Sequence, residues 1–115
     1  MSPATQFTAG DIRATIPRFT APNRAANQAL VEQVARLAQV KGMTPGQVAL
    51  AWLLAQQRWI VPIPGTRRCE RLEENAAATQ TALSADEVAD LDAIAARIGV
   101  HGARYNDLHM SLVGR

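Results

Sequence analysis

The chain has little of what several common protein classes require. It holds one cysteine, Cys69, so no intrachain disulfide can form, and with only two histidines it offers no metal-ligand cluster. That scarcity fits a reducing compartment. Aromatic residues make up 4% of the chain, and alanine dominates the apolar set. This favours closely packed helices over a β-sandwich, whose strands draw on β-branched and aromatic side chains. Residues 1–10 lack a charged start followed by an apolar stretch, and no apolar run approaches the roughly 20 residues needed to span a bilayer. The expected location is cytoplasmic, with no membrane partner. Charge of neither sign prevails: 12 basic against 10 acidic residues give a formal net charge of +2. All the basic residues but Lys41 are arginine. So even a balance argues against a dedicated nucleic-acid binder, and any anion site must be local.

What is present is a globular composition, 48% hydrophobic and 19% charged over 115 residues. That is one domain's worth of chain. Residues 1–22 carry Pro3, Gly10, Pro17 and Pro22 and read as a loop. Asn23 can cap a first helix over about 24–41, with Leu30, Val34, Leu37 and Ala38 along one stripe and Gly42 as its terminator. Thr44-Pro45-Gly46-Gln47 is a capping box with proline at the first helical position, and it opens a second helix over about 45–57. That helix, from Val48 to Ala55, is apolar on every face and calls for burial on most sides. Residues 59–63 form the one strand the pattern supports, limited in its pairing by Pro62 and Pro64. Helices follow over about 67–81 and 85–98, the latter opened by Ser84-Ala85-Asp86-Glu87. The chain is thus mostly helical with one short strand. A lone strand cannot satisfy its own backbone groups, so the pattern predicts a partner: a second copy of the chain, or strands elsewhere in a larger protein.

The segment from Pro62 to Asn75 carries the chemistry. It leads through a turn into a helix, whose first N–H groups and partial positive charge make an anion site. Gly65 permits close approach of a ligand to the backbone, Thr66 supplies a hydroxyl at the expected N-cap, and Arg67 and Arg68 add charge. Arg71 lies one helical turn later with a planar fork suited to phosphate. Glu74 and Asn75, a turn further, can accept from and donate to a nucleobase. On spacing alone the alternative is an ordinary solvated helix start whose arginines pair with Glu70, Glu73 and Glu74.

Three blocks weigh in favour of the first reading. Residues 44–54, TPGQVALAWLL, residues 60–67, IVPIPGTR, and residues 71–75, RLEEN, resemble in sequence and spacing the C-terminal third of aldo/keto reductases. Asp11-Ile12-Arg13 and Pro17-Arg18-Phe19 resemble a loop upstream of the next-to-last barrel helix in the bacterial branch of that family. The resemblance implies the C-terminal portion of a (β/α)₈ TIM barrel, an α/β fold, with residues 59–64 as its eighth strand. It implies NADPH as cofactor and a small carbonyl compound as substrate, with Gly65, Thr66, Arg67 and Arg71 around the adenosine phosphate and Glu74 and Asn75 at adenine. Many relatives carry lysine where this chain has Gly65, which leaves Arg67 or Arg68 to compensate.

The family's catalytic tyrosine, lysine, aspartate and histidine lie on early strands. Here the single tyrosine, Tyr105, and the single lysine, Lys41, sit in no matching motif. The resemblance therefore implies no catalytic residue in this chain, no activity by itself, and dependence on a missing N-terminal barrel portion or on self-association. Cys69, Trp52 and Trp59 read as packing residues. The competing function is a small helical oligomer that binds anions or nucleic acid through Arg67, Arg68 and Arg71.

Overall fold

The computed structural model describes residues 5–114. They fall into two compact units, Met1–Leu30 with Ile98–Arg115, and Val31–Arg97.

The larger unit holds the hydrophobic core. Helix α1 (Ala21–Lys41) ends in it, followed by α2 (Pro45–Gln56), α3 (Cys69–Ala77), a 3-10 turn (Ala78–Gln80) and α4 (Ala85–Ile98). The end of α1 is set by Gly42, whose φ of 64° only glycine adopts without strain. Met43 N donates to Ala38 O at 2.8 Å and Gly42 N to Gln39 O at 3.3 Å. These paired bonds satisfy two carbonyls that the helix end would leave open. Two residues later, Thr44 Oγ accepts from Gln47 N at 3.2 Å, and Thr44 N donates to Gln47 Oε1 at 2.9 Å. The capping box read from the sequence is formed, with Pro45 at the start of the helix. Ser84 and Glu87 make the equivalent pair of bonds ahead of α4, at 2.7 and 3.2 Å.

Ala38, Val48, Ala51, Leu83 and Leu91 are buried together, with Val34, Leu37, Met43, Trp52 and Val88 packed around them. Val48, fully buried, contributes about 1.5–3 kcal/mol by leaving water. Trp52 closes one side, its Nε1 donating to Asp92 Oδ1 at 2.8 Å. Although α2 is apolar all round, only one face enters this core: Leu53 and Leu54 stay exposed on the other.

The smaller unit is organised by polar clasps. Phe7 and Phe19 meet edge to face at 5.8 Å. Asn27 Nδ2 donates to His101 O at 2.9 Å while His101 N donates to Asn27 Oδ1 at 2.8 Å, so one side chain imitates a strand's exchange of bonds. Arg18 donates to Gly102 O from Nε and Nη2, at 3.3 and 3.2 Å. A short helix α5 (Asp107–Met110) is capped by Asn106, whose Oδ1 accepts from His109 N at 2.9 Å.

Four expectations are corrected. Residues 59–63 form no strand, and no strand occurs among the described residues. Pro62 and Pro64 carry no N–H, and the segment finds no partner strand to pair with. The stretch expected as loop contains two 3-10 turns, Ile12–Thr15 and Pro17–Phe19, while residues 1–4 of it lie outside the described residues. Helix α1 begins at Ala21, ahead of Asn23, because Arg24 N already donates to Thr20 O and proline is tolerated in a first helical turn. Asn23 instead donates from Nδ2 to Pro17 O at 2.8 Å. Trp59 is 76% exposed and Cys69 is exposed, so neither packs in a core.

Candidate functional site

The segment from Gly65 to Asn75 belongs wholly to the larger unit. Helix α3 starts later than the sequence predicts: Arg68, not Thr66, is the N-cap, and it has no side-chain cap bond. Thr66 lies two residues ahead, its Oγ accepting from Arg68 N at 3.1 Å. The hydroxyl thus closes a local turn rather than the helix end. Gly65 is exposed, and a Cβ built there meets nothing within 4 Å, so its backbone is open to a ligand. Arg67 and Arg68 are exposed, with Arg68 Nε 3.4 Å from Glu70 Oε2.

Arg71 stands at the third residue of α3 and forms an ion pair with Glu74. The pairing is single-pointed, from Arg71 Nη1 to Glu74 Oε2. Glu74 Oε1 is taken by a different element: Thr44 Oγ donates to it at 2.7 Å. Gln47 Nε2 then donates to Glu74 O at 2.9 Å, so both ends of the α2 capping box reach across to Glu74. The bond from Thr44, with Arg71 nearby, holds the Glu74 carboxyl below its ordinary pKa, overcoming the opposing effect of desolvation. Asn75 is half-buried and lines a cleft of about 130 Å³ together with Val61, Pro62, Pro64, Leu50 and Leu54.

The fold therefore joins Arg71 to Glu74 and sets Asn75 against residues 61–64. Among the described residues no hydrogen bond connects Thr66 or Arg67 to Arg71. Thr44 is a member of the site that its sequence position conceals: it reads as a helix cap, and its second bond spans 30 residues. The two remaining reactive candidates are engaged elsewhere. Lys41 is paired with Glu87, and Tyr105 packs edge to face against His109 at 6.3 Å. No group of three metal-binding side chains occurs among the described residues, and no helix there is long and apolar enough to cross a membrane.

Residues 5–96 match the aldo/keto reductase family. The chain belongs to that family. Among curated relatives, it is 42% identical over 99 residues to the aldo-keto reductase yakc of Schizosaccharomyces pombe, whose name specifies NADP(+). That match covers 86% of this chain and 29% of the relative. It is 39% identical over 98 residues to the aldo-keto reductase str7 of Strobilurus tenacellus, covering 85% of this chain and 29% of that protein. This aldo/keto reductase chain thus spans under a third of the length of these relatives. No solved structure gives a significant match. An α/β barrel is the fold that family membership suggests, whereas the described residues are helical and strandless.

Proposed function

We propose that this chain is the C-terminal portion of an aldo/keto reductase, one that holds the adenosine end of NADP(H) for reduction of aldehydes or ketones. The reading is carried by Arg71: a guanidinium at the first turn of a helix, 54% exposed, and tied to Glu74 through one nitrogen only. Among the described residues its other side-chain donors make no hydrogen bond. A phosphate esterified at the ribose 2′ position is a dianion of the size such a fork receives in two-point fashion.

The neighbouring residues fit the same group. Gly65 leaves room for a ligand against the backbone, and Thr66 and Arg67 border that room. Glu74 and Asn75 follow on α3, and the half-buried Asn75 amide offers both a donor and an acceptor to an adenine edge. When bound, NADPH supplies the hydride; these residues supply affinity and the choice between phosphorylated and unphosphorylated dinucleotide. The proton donor for a carbonyl belongs to the early-strand residues of the family, so the chain by itself should leave NADPH consumption at background with any aldehyde. Its partner is then the remainder of a barrel or a second copy. The family match over residues 5–96 favours this reading over an anion- or nucleic-acid-binding helical oligomer.

Calorimetric titration of the chain and of Arg71→Ala with NADP⁺ and NAD⁺ tests the reading. A charged hydrogen bond is worth about 1.5–3 kcal/mol, so NADP⁺ affinity should fall about 10- to 100-fold while NAD⁺ affinity holds. Equal weakening of both would mean that Arg71 does not meet the 2′-phosphate.

A further inference from the structure

Glu74 is the obvious competitor of any anion for Arg71. A glutamate three residues along a helix from an arginine can close on it with both oxygens, fork against fork, and such a clamp would occupy the donors a phosphate needs. The clamp does not form here. Only Oε2 reaches Arg71, because Oε1 is held by the Thr44 hydroxyl at 2.7 Å. Thr44 is fixed in turn by the start of α2, where its oxygen accepts from Gln47 N at 3.2 Å. Gln47 Nε2 donates to the Glu74 carbonyl at 2.9 Å, which opposes a shift of the α3 backbone that would restore the clamp. The hydroxyl thus has two functions at once, each using a different valence: its lone pair caps α2 and its proton restrains Glu74.

We infer that Thr44 is a positioning residue for 2′-phosphate recognition: by holding one oxygen of Glu74, it keeps the Arg71 fork open to the phosphate. The inference rests on the cofactor reading above and adds a residue on another helix, 27 positions before the arginine it serves. Glu74 remains close enough to orient the guanidinium through a single bond and too restrained to cover it. If the hydroxyl is removed, the freed carboxylate can take Arg71 with both oxygens, and the phosphate must then displace an intramolecular ion pair. The change should be confined to ligands that carry the 2′-phosphate.

The test uses the 115-residue chain and two probes, 2′,5′-ADP and 5′-AMP, which differ only in the 2′-phosphate. Thr44→Val should weaken 2′,5′-ADP about 5- to 10-fold, the scale of one lost hydrogen bond, and leave 5′-AMP unchanged. Thr44→Ser, which keeps the hydroxyl, should restore the wild-type value. Thr44→Asp covers the case in which the valine variant folds poorly: it retains an N-cap oxygen but has no proton to give Glu74, and it should lose 2′,5′-ADP affinity while α2 stays capped. The Arg71 guanidinium Nε–H and Nη–H resonances, followed by ¹⁵N NMR without nucleotide, should report a two-point contact with Glu74 in Thr44→Val and a one-point contact in wild type. Unchanged Arg71 guanidinium resonances in Thr44→Val, or equal loss of both nucleotides in Thr44→Val and Thr44→Asp, would overturn the role of Thr44. A wild-type chain that binds the two nucleotides equally would instead overturn the cofactor reading on which it rests.

Discussion

Lys41 Nζ lies 2.9 Å from both carboxylate oxygens of Glu87, and the same carboxylate accepts from Ser84 N at 2.7 Å. One side chain thus caps α4 and ties it to the end of α1 within the larger unit. The Ser84 N–H, then Lys41, hold the Glu87 carboxyl below its ordinary pKa. A carboxyl so depressed stabilises the fold above its unfolded value, about 4.3, and the contribution is lost as pH falls through the lower folded value. Unfolding followed from pH 6 down to pH 3 should therefore show stability decreasing with acid. Glu87→Gln should flatten part of that decrease. Ser84→Ala, which removes the oxygen accepting from Glu87 N, should cost about 1 kcal/mol at neutral pH.

Gly102 is the least replaceable glycine of the smaller unit. Its φ is 87°, and a Cβ there would lie 2.6 Å from Asn23 Nδ2 and 2.7 Å from Arg18 Cα. The backbone conformation and the close approach act together. Gly102→Ala should destabilise by about 1–3 kcal/mol and weaken the bonds from Arg18 to the carbonyl of residue 102. Gly65→Ala meets nothing within 4 Å and should unfold close to wild type. Chemical denaturation of both variants provides the comparison.

Local chemistry was legible in the sequence wherever the partners are near neighbours. Thr44, Pro45 and Gln47 announce the start of α2, Gly42 the end of α1, and Ser84 with Glu87 the start of α4, because each signal lies within a few residues of its target. Residues 59–63 misled because strand formation depends on a partner that no local pattern supplies. Arg68 displaced Thr66 as the cap of α3 because the threonine hydroxyl found a nearer N–H two residues on. The positions of Arg71, Glu74 and Asn75 along one helix follow from their spacing. The bond from Thr44 to Glu74 does not, since nothing in either position indicates a contact between separate helices.

The unpaired segment itself has an expected consequence. Trp59, Val61 and Ile63 are 76%, 78% and 91% exposed. Pro62 and Pro64 lack donors, while Val61, Ile63 and Gly65 keep N–H groups that bond to no backbone carbonyl among the described residues. Alternation places those donors on one edge, which leaves a single competent pairing edge flanked by apolar side chains. The chain alone should therefore self-associate, two copies pairing antiparallel through that edge. Sedimentation velocity at several concentrations should show a dimer that Ile63→Lys shifts towards monomer. A compact monomer at every concentration would mean that the segment is satisfied without a partner.

On the proposed function, the turn and first two turns of α3 recognise an adenosine 2′-phosphate. The most direct measurement is an amide chemical-shift titration of the ¹⁵N-labelled chain with 2′,5′-ADP, with 5′-AMP as reference. The largest 2′-phosphate-dependent shifts are expected at Gly65, Thr66, Arg67 and Arg71, with shifts at Glu74 and Asn75 common to both nucleotides. Shifts that are the same for both nucleotides throughout, or that centre outside residues 65–75, would contradict it.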